Sequence, residues 1–239
     1  GPFGEDGQIQ KILDKFSFKY THSNSQVSKI AFNKDLKKKL IIKDSVLTPK
    51  YYILNSAEIN RDVLYNFLSK LGNFIIKPNC SGSSYGVRIF KNKNDIDSYL
   101  ENYTQSKNIY KNHKKLLVEK FVLGKELTVS VVEREDKGFP VEVTEIIPSR
   151  NFFDYDAKYK KGFAKHILPA QIPNKIYEKC KENAKIVHDK LGCRGVSRSD
   201  FIYDNKNIYF LEINTQPGLT PISLVPEQLK YQNIYFDEL

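Results

Sequence analysis

The residues best placed to do chemistry lie near the C-terminus: Arg198-Ser199-Asp200-Phe201, then Glu212-Ile213-Asn214, with Asp204-Asn205-Lys206-Asn207 between them. Apolar runs flank that polar tetrapeptide and predict a β-hairpin over residues 196–203 and 208–213. Register decides what the hairpin can do. A three-residue turn over 205–207 sets Asp200 opposite Glu212 and Arg198 opposite Asn214, all on one face; a four-residue turn sets the two acids on opposite faces. Facing carboxylates repel each other unless a cation or proton lies between them. Asp, Glu and an Asn carbonyl together form a hard-oxygen set that suits Mg²⁺ completed by substrate phosphates. The plainer reading is a solvent-facing polar hairpin neutralised by Arg198.

Three further stretches carry candidate groups. Lys77 ends the apolar run Phe74-Ile75-Ile76, and a small-residue loop, Ser81-Gly82-Ser83-Ser84-Tyr85-Gly86, follows it. Glycines let backbone amides approach an anion, and hydroxyls add donors, although many such loops are merely flexible. Lys77 either snorkels to the surface or points at a phosphate. Leu117-Val118-Glu119-Lys120-Phe121-Val122 sets two charges in an apolar strand, with Glu126 just beyond. This is an ion pair, or else an adenine site in which strand backbone reads the base edge and a carboxylate takes the ribose. Gly218, in the turn Asn214-Thr215-Gln216-Pro217-Gly218, could offer an amide to a developing oxyanion. The four histidines are scattered, and no Ser/His/Asp or Cys/His nucleophile pattern is visible.

The elements that must position these groups follow from periodicity. Residues 8–16 predict a helix with Ile9, Ile12, Leu13 and Phe16 inward. A second helix is expected over 26–42 with Val27, Ile30, Ala31 and Leu36 inward and Lys37-Lys38-Lys39 on a solvated face. A strand over 51–54, a helix from a Ser56 cap to Leu71, strands over 74–77 and 87–90, a helix over 94–103 and a strand over 116–122 come next. Strands over 126–134 and 140–147 precede a long irregular segment, 148–165, of the kind that is usually functional. A helix follows Pro173, with Cys180, Ala184, Val187 and Leu191 on one stripe and Gly192 as its stop. Strands and helices mix without strict alternation, so the expected class is α+β (mixed α/β).

Composition narrows the partners. The 239 residues carry a net charge of +10 and 40% hydrophobic residues, enough for a sizeable core. The lysines are spread along the chain, which argues against a nucleic-acid partner. The sequence contains no apolar run of about 18 residues, so no membrane partner is expected. Three cysteines without CxxC spacing argue against disulfides and zinc, and with no signal peptide visible the cytoplasm is expected. The sequence has no methionine, so a start within a longer protein is expected.

Taken in order, the motifs form a series: Gly4-Glu5-Asp6-Gly7, Ile76-Lys77-Pro78, Gly82-Ser83-Ser84, Val118-Glu119-Lys120, Lys125-Glu126-Leu127-Thr128-Val129, Asp154-Tyr155-Asp156-Ala157-Lys158-Tyr159, Leu191-Gly192-Cys193-Arg194-Gly195, Arg198-Ser199-Asp200 and Glu212-Ile213-Asn214-Thr215-Gln216-Pro217-Gly218. This series resembles the bacterial D-alanine–D-alanine ligases of the ATP-grasp superfamily across essentially the whole chain. The resemblance implies two α+β subdomains that sandwich ATP, over residues 23–120 and 121–239, with residues 1–22 a remnant of an N-terminal substrate domain. It implies a two-step reaction: one D-alanine is activated as an acyl phosphate by ATP, and a second displaces phosphate to give the peptidoglycan dipeptide.

The resemblance also carries roles to matching positions. Lys34, Lys77 and Ser84 match groups that hold or cover ATP phosphates, and Lys158 belongs to a loop that closes over the site. Glu119, Lys120 and Val122 match the adenine-reading strand, and Glu126 matches the ribose carboxylate. Asp200, Glu212 and Asn214 match the ligands of two Mg²⁺ ions, for which Mn²⁺ can substitute; this favours the three-residue turn. Arg198 and the Gly218 amide match stabilisers of the tetrahedral intermediate, Ser83 and Tyr159 match groups around the first D-alanine, and Ser223 matches the serine that holds the second D-alanine's carboxylate. A homodimer is usual for such ligases. The chain departs from the pattern at Thr21-His22-Ser23-Asn24 and at Cys80-Ser81, and the resemblance implies that most of the N-terminal domain, with its amine-binding acid, lies outside the sequence given. The competing expectations are a D-alanine–D-lactate ligase, a non-catalytic nucleotide-binding fragment and a basic nucleic-acid-binding protein.

Overall fold

The computed structural model describes residues 2–82, 85–102, 110, 112–148 and 164–235. They divide into two compact units, one formed by Pro49–Val122 and the other by Gly1–Thr48 together with Leu123–Leu239. Both are built on antiparallel sheets with helices, in keeping with the α+β expectation.

The smaller unit holds β1 (Tyr51–Asn55), α4 (Arg61–Leu71), β2 (Phe74–Pro78), β3 (Arg88–Phe90), α5 (Lys93–Glu101) and β4 (Lys115–Lys120), with sheet order β1-β4-β2-β3. Alternation along β2 and β4 sends Phe74, Ile76, Leu116 and Val118 into one core with Leu64, Leu71 and Ile96 from α4 and α5. The opposite set on the same strands is Ile75, Lys77, Leu117 and Glu119, and this second face is buried too. Asn60, not Ser56, caps α4: its side chain accepts from the Val63 amide, and Ser56 opens a short 3₁₀ turn instead.

The larger unit carries a sheet of order β7-β6-β5-β8-β9, made of β5 (Lys125–Arg134), β6 (Lys137–Pro148), β7 (Ala164–Ile167), β8 (Val196–Tyr203) and β9 (Ile208–Asn214). Leu127, Val129, Phe201 and Phe210 pack with Cys180, Ala184, Val187 and Leu191 of α6 (Asn174–Leu191), as the apolar stripe predicts. A second core joins Val132, Val141 and Val196 to Val225 and Leu229 of α7 (Leu224–Tyr231).

The expected helix over 26–42 is two helices, α2 (Ser25–Phe32) and α3 (Lys34–Ile41). Asn33 breaks it: the residue is extended at φ −89°, ψ 105°, and its side chain accepts from the Leu36 amide as a fresh cap. The break turns α3 about its axis. Lys34, Lys38 and Ile41, spaced i, i+4, i+7, face inward and are buried along with Lys37, whereas Leu36 points out. The solvated lysine face is therefore confined to Lys39, which pairs with Asp35 at 2.8 Å. Helices α2 and α3 place Val27, Ala31 and Ile41 in the core of the C-terminal sheet, which is why residues up to Thr48 belong to the larger unit.

Helix α1 (Gln8–Lys15) also differs from expectation. Its apolar residues Ile12 and Phe16 are exposed, and its buried residue is Gln10, whose amide donates to the Gly4 carbonyl. The segment that follows is held by the loop after α6. Arg194 donates to the carbonyls of Tyr20 (2.9 Å) and His22 (3.2 Å), and Gly195, at φ +68°, leaves no room for a Cβ beside the Thr21 carbonyl.

Cys80 is exposed, and Cys180 and Cys193 are buried. Burial disfavours the thiolate: it pushes the Cys193 thiol up to about 12 and raises Cys180 as well. Titration with a thiol-specific disulfide reagent at pH 8 is expected to label Cys80 quickly and the other two only on unfolding. Rapid labelling of two or three thiols in the native protein would contradict this packing.

Candidate active site

The β8–β9 hairpin has the four-residue turn, Asp204 to Asn207, yet Asp200 lies opposite Glu212 and Arg198 opposite Asn214. Both hold because Tyr203 pairs with Ile208 and Phe201 with Phe210, after which the register slips and Leu211 is left without an opposite number. This β-bulge moves Glu212 from the core side to the Asp200 side. The turn is stabilised by Asp204, whose carboxylate accepts from the amides of Lys206 (2.9 Å) and Asn207 (2.6 Å) and is thereby held below the usual carboxylate range. The three-residue turn is thus corrected, and the alignment it was to produce is reached by another route.

Asp200 is tightly held. The Thr128 hydroxyl donates to Oδ1 at 2.6 Å, Arg198 Nε donates to Oδ1 at 3.1 Å, and Arg198 Nη2 donates to Oδ2 at 3.1 Å. The Arg198 and Asp200 side chains are 18% and 19% exposed, so the fork is shielded and still reachable. Thr144 of β6, Thr128 of β5, Asp200 of β8 and Glu212 of β9 are successive cross-strand partners, so two hydroxyls and two carboxylates form a row across one sheet face. Asn214 ends β9, and its side-chain oxygen accepts from the Gln216 amide at 2.8 Å.

The segment after β9 returns to that face. A Cβ on Gly218 would sit 2.9 Å from Ser223 Oγ, so glycine is what lets the serine come this close. Ser223 occupies the N-cap of α7, but its side chain caps nothing in the helix; its hydroxyl lies 2.8 Å from Thr220 Oγ1. At Ser130 the β5–β6 ladder is irregular, since Val129 faces Val143 while Val131 faces Pro140. Gln228 of α7 fills the gap: its Oε1 accepts from the Ser130 amide at 2.8 Å, and its Nε2 donates to the Thr128 carbonyl at 3.1 Å and to Thr144 Oγ1 at 2.9 Å.

In the smaller unit, Lys77 Nζ lies 2.7 Å from Glu119 Oε2, with side chains 11% and 1% exposed. The residues are diagonal neighbours on β2 and β4. Glu119 is therefore ion-paired, but with Lys77 of the neighbouring strand and not with a charge of its own strand; the ligase resemblance places both groups around a nucleotide. Lys120 is exposed at the end of β4, and its amide donates to the Lys50 carbonyl at 2.9 Å; half-buried Val122 closes the unit. In the larger unit, Lys34 is buried at the start of α3, and half-buried Glu126 lies near the start of β5. Ser83, Ser84, Lys158 and Tyr159 lie outside the described residues.

Sequence reading missed Thr128 and Gln228. Thr128 lies within a quoted motif, and its strand alternation already put it on the Asp200 side; Gln228 resembles any polar residue of an amphipathic helix. The donor set of the row fits a divalent cation. With Thr128 and Arg198 occupying Oδ1 and one lone pair of Oδ2, Asp200 keeps an Oδ2 lone pair for a metal, and Glu212 faces it.

The family model described as the C-terminus of D-ala D-ala ligase matches residues 40–239. A D-alanine–D-alanine ligase of Wolbachia pipientis wMel is 42% identical over 242 residues, spanning 100% of this chain and 72% of that protein. One from Zymomonas mobilis is 41% identical over 239 residues, spanning 98% and 71%. The crystal structure of D-alanyl-alanine synthetase A from Vibrio cholerae superposes with a TM-score of 0.86 at 28% identity, covering 100% of this chain and 71% of that one. A D-alanine–D-alanine ligase from Bacillus anthracis complexed with ATP superposes with a TM-score of 0.79 at 26% identity, covering 100% and 73%.

Proposed function

The chain belongs to the D-alanine–D-alanine ligase family, and from that premise we propose that it joins two D-alanines at the expense of ATP through an acyl phosphate. The observation that carries the reading is the aligned set Arg198, Asp200, Glu212 and Asn214, brought to one face by a bulge at Leu211. A solvent-facing hairpin does not require that alignment.

In the first step a carboxylate oxygen of one D-alanine attacks the γ-phosphorus, and the bond to the β-phosphate oxygen breaks to release ADP. In the second, the amine of another D-alanine attacks the acyl carbon, phosphate leaves and the amine loses a proton. Lys77 and Lys34 hold phosphate oxygens, Glu119, Lys120 and Val122 seat the base, and Glu126 takes the ribose hydroxyls. Asp200, Glu212 and Asn214 hold Mg²⁺, which when bound neutralises charge on the transferred phosphoryl group. Arg198, anchored by Asp200, and the Gly218 amide stabilise the oxyanion of the tetrahedral intermediate. Ser223, uncommitted to its own helix cap, binds the acceptor carboxylate at the start of α7. Ser83, Ser84, Lys158 and Tyr159 cover the reacting groups. The protein works in the cytoplasm as a homodimer. Two buried cysteines that form no disulfide support the location.

ADP release with ATP, Mg²⁺ and either D-alanine, L-alanine or D-alanine plus D-lactate tests this reading. Release that depends on D-alanine and yields the dipeptide is expected. Depsipeptide as the main product would reassign the acceptor, and release with no amino acid would make the protein a simple ATPase. Glu212→Gln removes one charge from the facing carboxylates and is expected to raise the Mg²⁺ concentration for half-maximal rate at least about tenfold. An unchanged metal titration would remove Glu212 from the metal site.

A further inference from the structure

Resting on the ligase reading, we propose that Thr128 and Gln228 are a positioning pair that fixes the Asp200 carboxylate relative to the acceptor-binding start of α7. Neither side chain touches substrate. Thr128 is fully buried, and its hydroxyl donates to Asp200 Oδ1 at 2.6 Å while its carbonyl accepts from Gln228 Nε2 at 3.1 Å. Gln228 is also fully buried and spends its remaining contacts on the Ser130 amide and the Thr144 hydroxyl. One residue thus bonds both to the metal-site carboxylate and to the helix that begins at Ser223.

Packing alone leaves this geometry loose. Helix α7 meets the sheet through Val225 and Leu229 against Val132, Val141 and Val196, and aliphatic contacts of this kind tolerate small slides and rotations. Its other polar contacts, Glu227 with His166 of β7 at 2.8 Å and Gln232 with Glu142 of β6, are only part-buried or lie past its end, so Gln228 is the fully buried anchor. A residue rises 1.5 Å along a helix, so a slide of even one rise breaks all three Gln228 bonds. Burying an amide costs free energy unless each of its groups is paired, and a fully paired one specifies a single placement. The irregularity at Ser130 supplies the partner: where β6 departs from its register, β5 has backbone groups for the glutamine to take. Gln228 therefore sets α7 along and around its axis, and with it Ser223 beside Gly218. Thr128 orients the Asp200 carboxylate from the same point, so that Oδ2 faces the metal side.

The test pairs two isosteric changes. Thr128→Val exchanges the hydroxyl for a methyl group of similar size and is expected to weaken Mn²⁺ binding to the nucleotide-loaded protein about tenfold, read as free Mn²⁺ by electron paramagnetic resonance, with Thr128→Ser restoring it. Gln228→Met keeps volume and loses all three bonds. It is expected to raise the KM for the acceptor D-alanine at least about tenfold, with the KM for ATP within about twofold. Wild-type Mn²⁺ affinity in Thr128→Val, or a Thr128→Ser variant as weak as the valine one, overturns the proposal. So does a Gln228→Met variant whose two KM values rise together, because that is the mark of general loosening. A wild-type protein that binds Mn²⁺ and nucleotide but releases no ADP with D-alanine instead overturns the ligase reading itself.

Discussion

Lys77→Ala is expected to lose turnover altogether, with a fall in kcat/KM of more than about 10³-fold, because a phosphoryl group in transit depends on preorganised positive charge. The same substitution is expected to destabilise the protein. The ammonium lies 2.7 Å from a carboxylate that is 1% exposed, and removing one partner of such a pair costs about 3–5 kcal/mol. The two losses separate in a double variant. Lys77→Met with Glu119→Gln replaces the ion pair with groups of similar size and is expected to regain most of the stability in thermal denaturation without regaining ADP release. A stable double variant that turns over at the wild-type rate would show that Lys77 serves the fold alone.

Arg198→Lys is expected to lower kcat by about 10²–10³-fold, although the charge is kept. Arginine engages Asp200 through a fork, Nε to one oxygen and Nη2 to the other, and a lysine ammonium cannot make both bonds from one position. The carboxylate then turns about the single Thr128 bond, so the Mg²⁺ requirement is expected to rise with the fall in rate. Single-turnover kinetics separate the two effects, because saturating metal restores the first step and leaves the oxyanion unsupported in the second. A lysine variant at wild-type kcat would show that any cation suffices.

How much of this was readable beforehand depended on how local the cause was. The stripe of α6, the β2–β3 return and the β8–β9 hairpin are written in periodicity within a single element. The burial of Lys37 and Lys38 was not, because a lysine run reads as solvated until a break re-aims its helix, and Asn33 was the one local sign of that break. The exposed Ile12 and Phe16, in α1 and at its end, show the converse, an apolar stripe with helical spacing of which only Ile9 and Leu13 are half-buried. In the site, the residue types at Asp200, Glu212 and Arg198 were legible, whereas the Lys77–Glu119 pair was not, because it joins two strands whose pairing the sequence does not state and each residue was read apart from the other. Gln228 was invisible, since its value depends on an irregularity about 100 residues earlier in the chain. The turn was misjudged for a definite reason. Ile208 and Phe210 point inward, as does Ile213, so the inward phase changes from even to odd positions within β9. That change of phase is the sequence trace of the bulge, and counting turn residues alone does not detect it.

The bulge at Leu211 has a consequence for heredity. Phe201 is already paired with Phe210 when the extra residue arrives, so losing Leu211 leaves Asp200 opposite Glu212. Losing a residue from the turn likewise leaves the pairs beyond it in place. Losing Phe210 lets Leu211 take its inward place opposite Phe201, whereas losing Ile213 takes an inward-facing side chain out of the core. Length variation in this hairpin is therefore tolerated at the tip and at one interior position. A lineage can shorten the hairpin there without first abandoning its chemistry, and the in-frame loss of a single codon keeps the register at Leu211 where the loss of Glu212 or Ile213 does not.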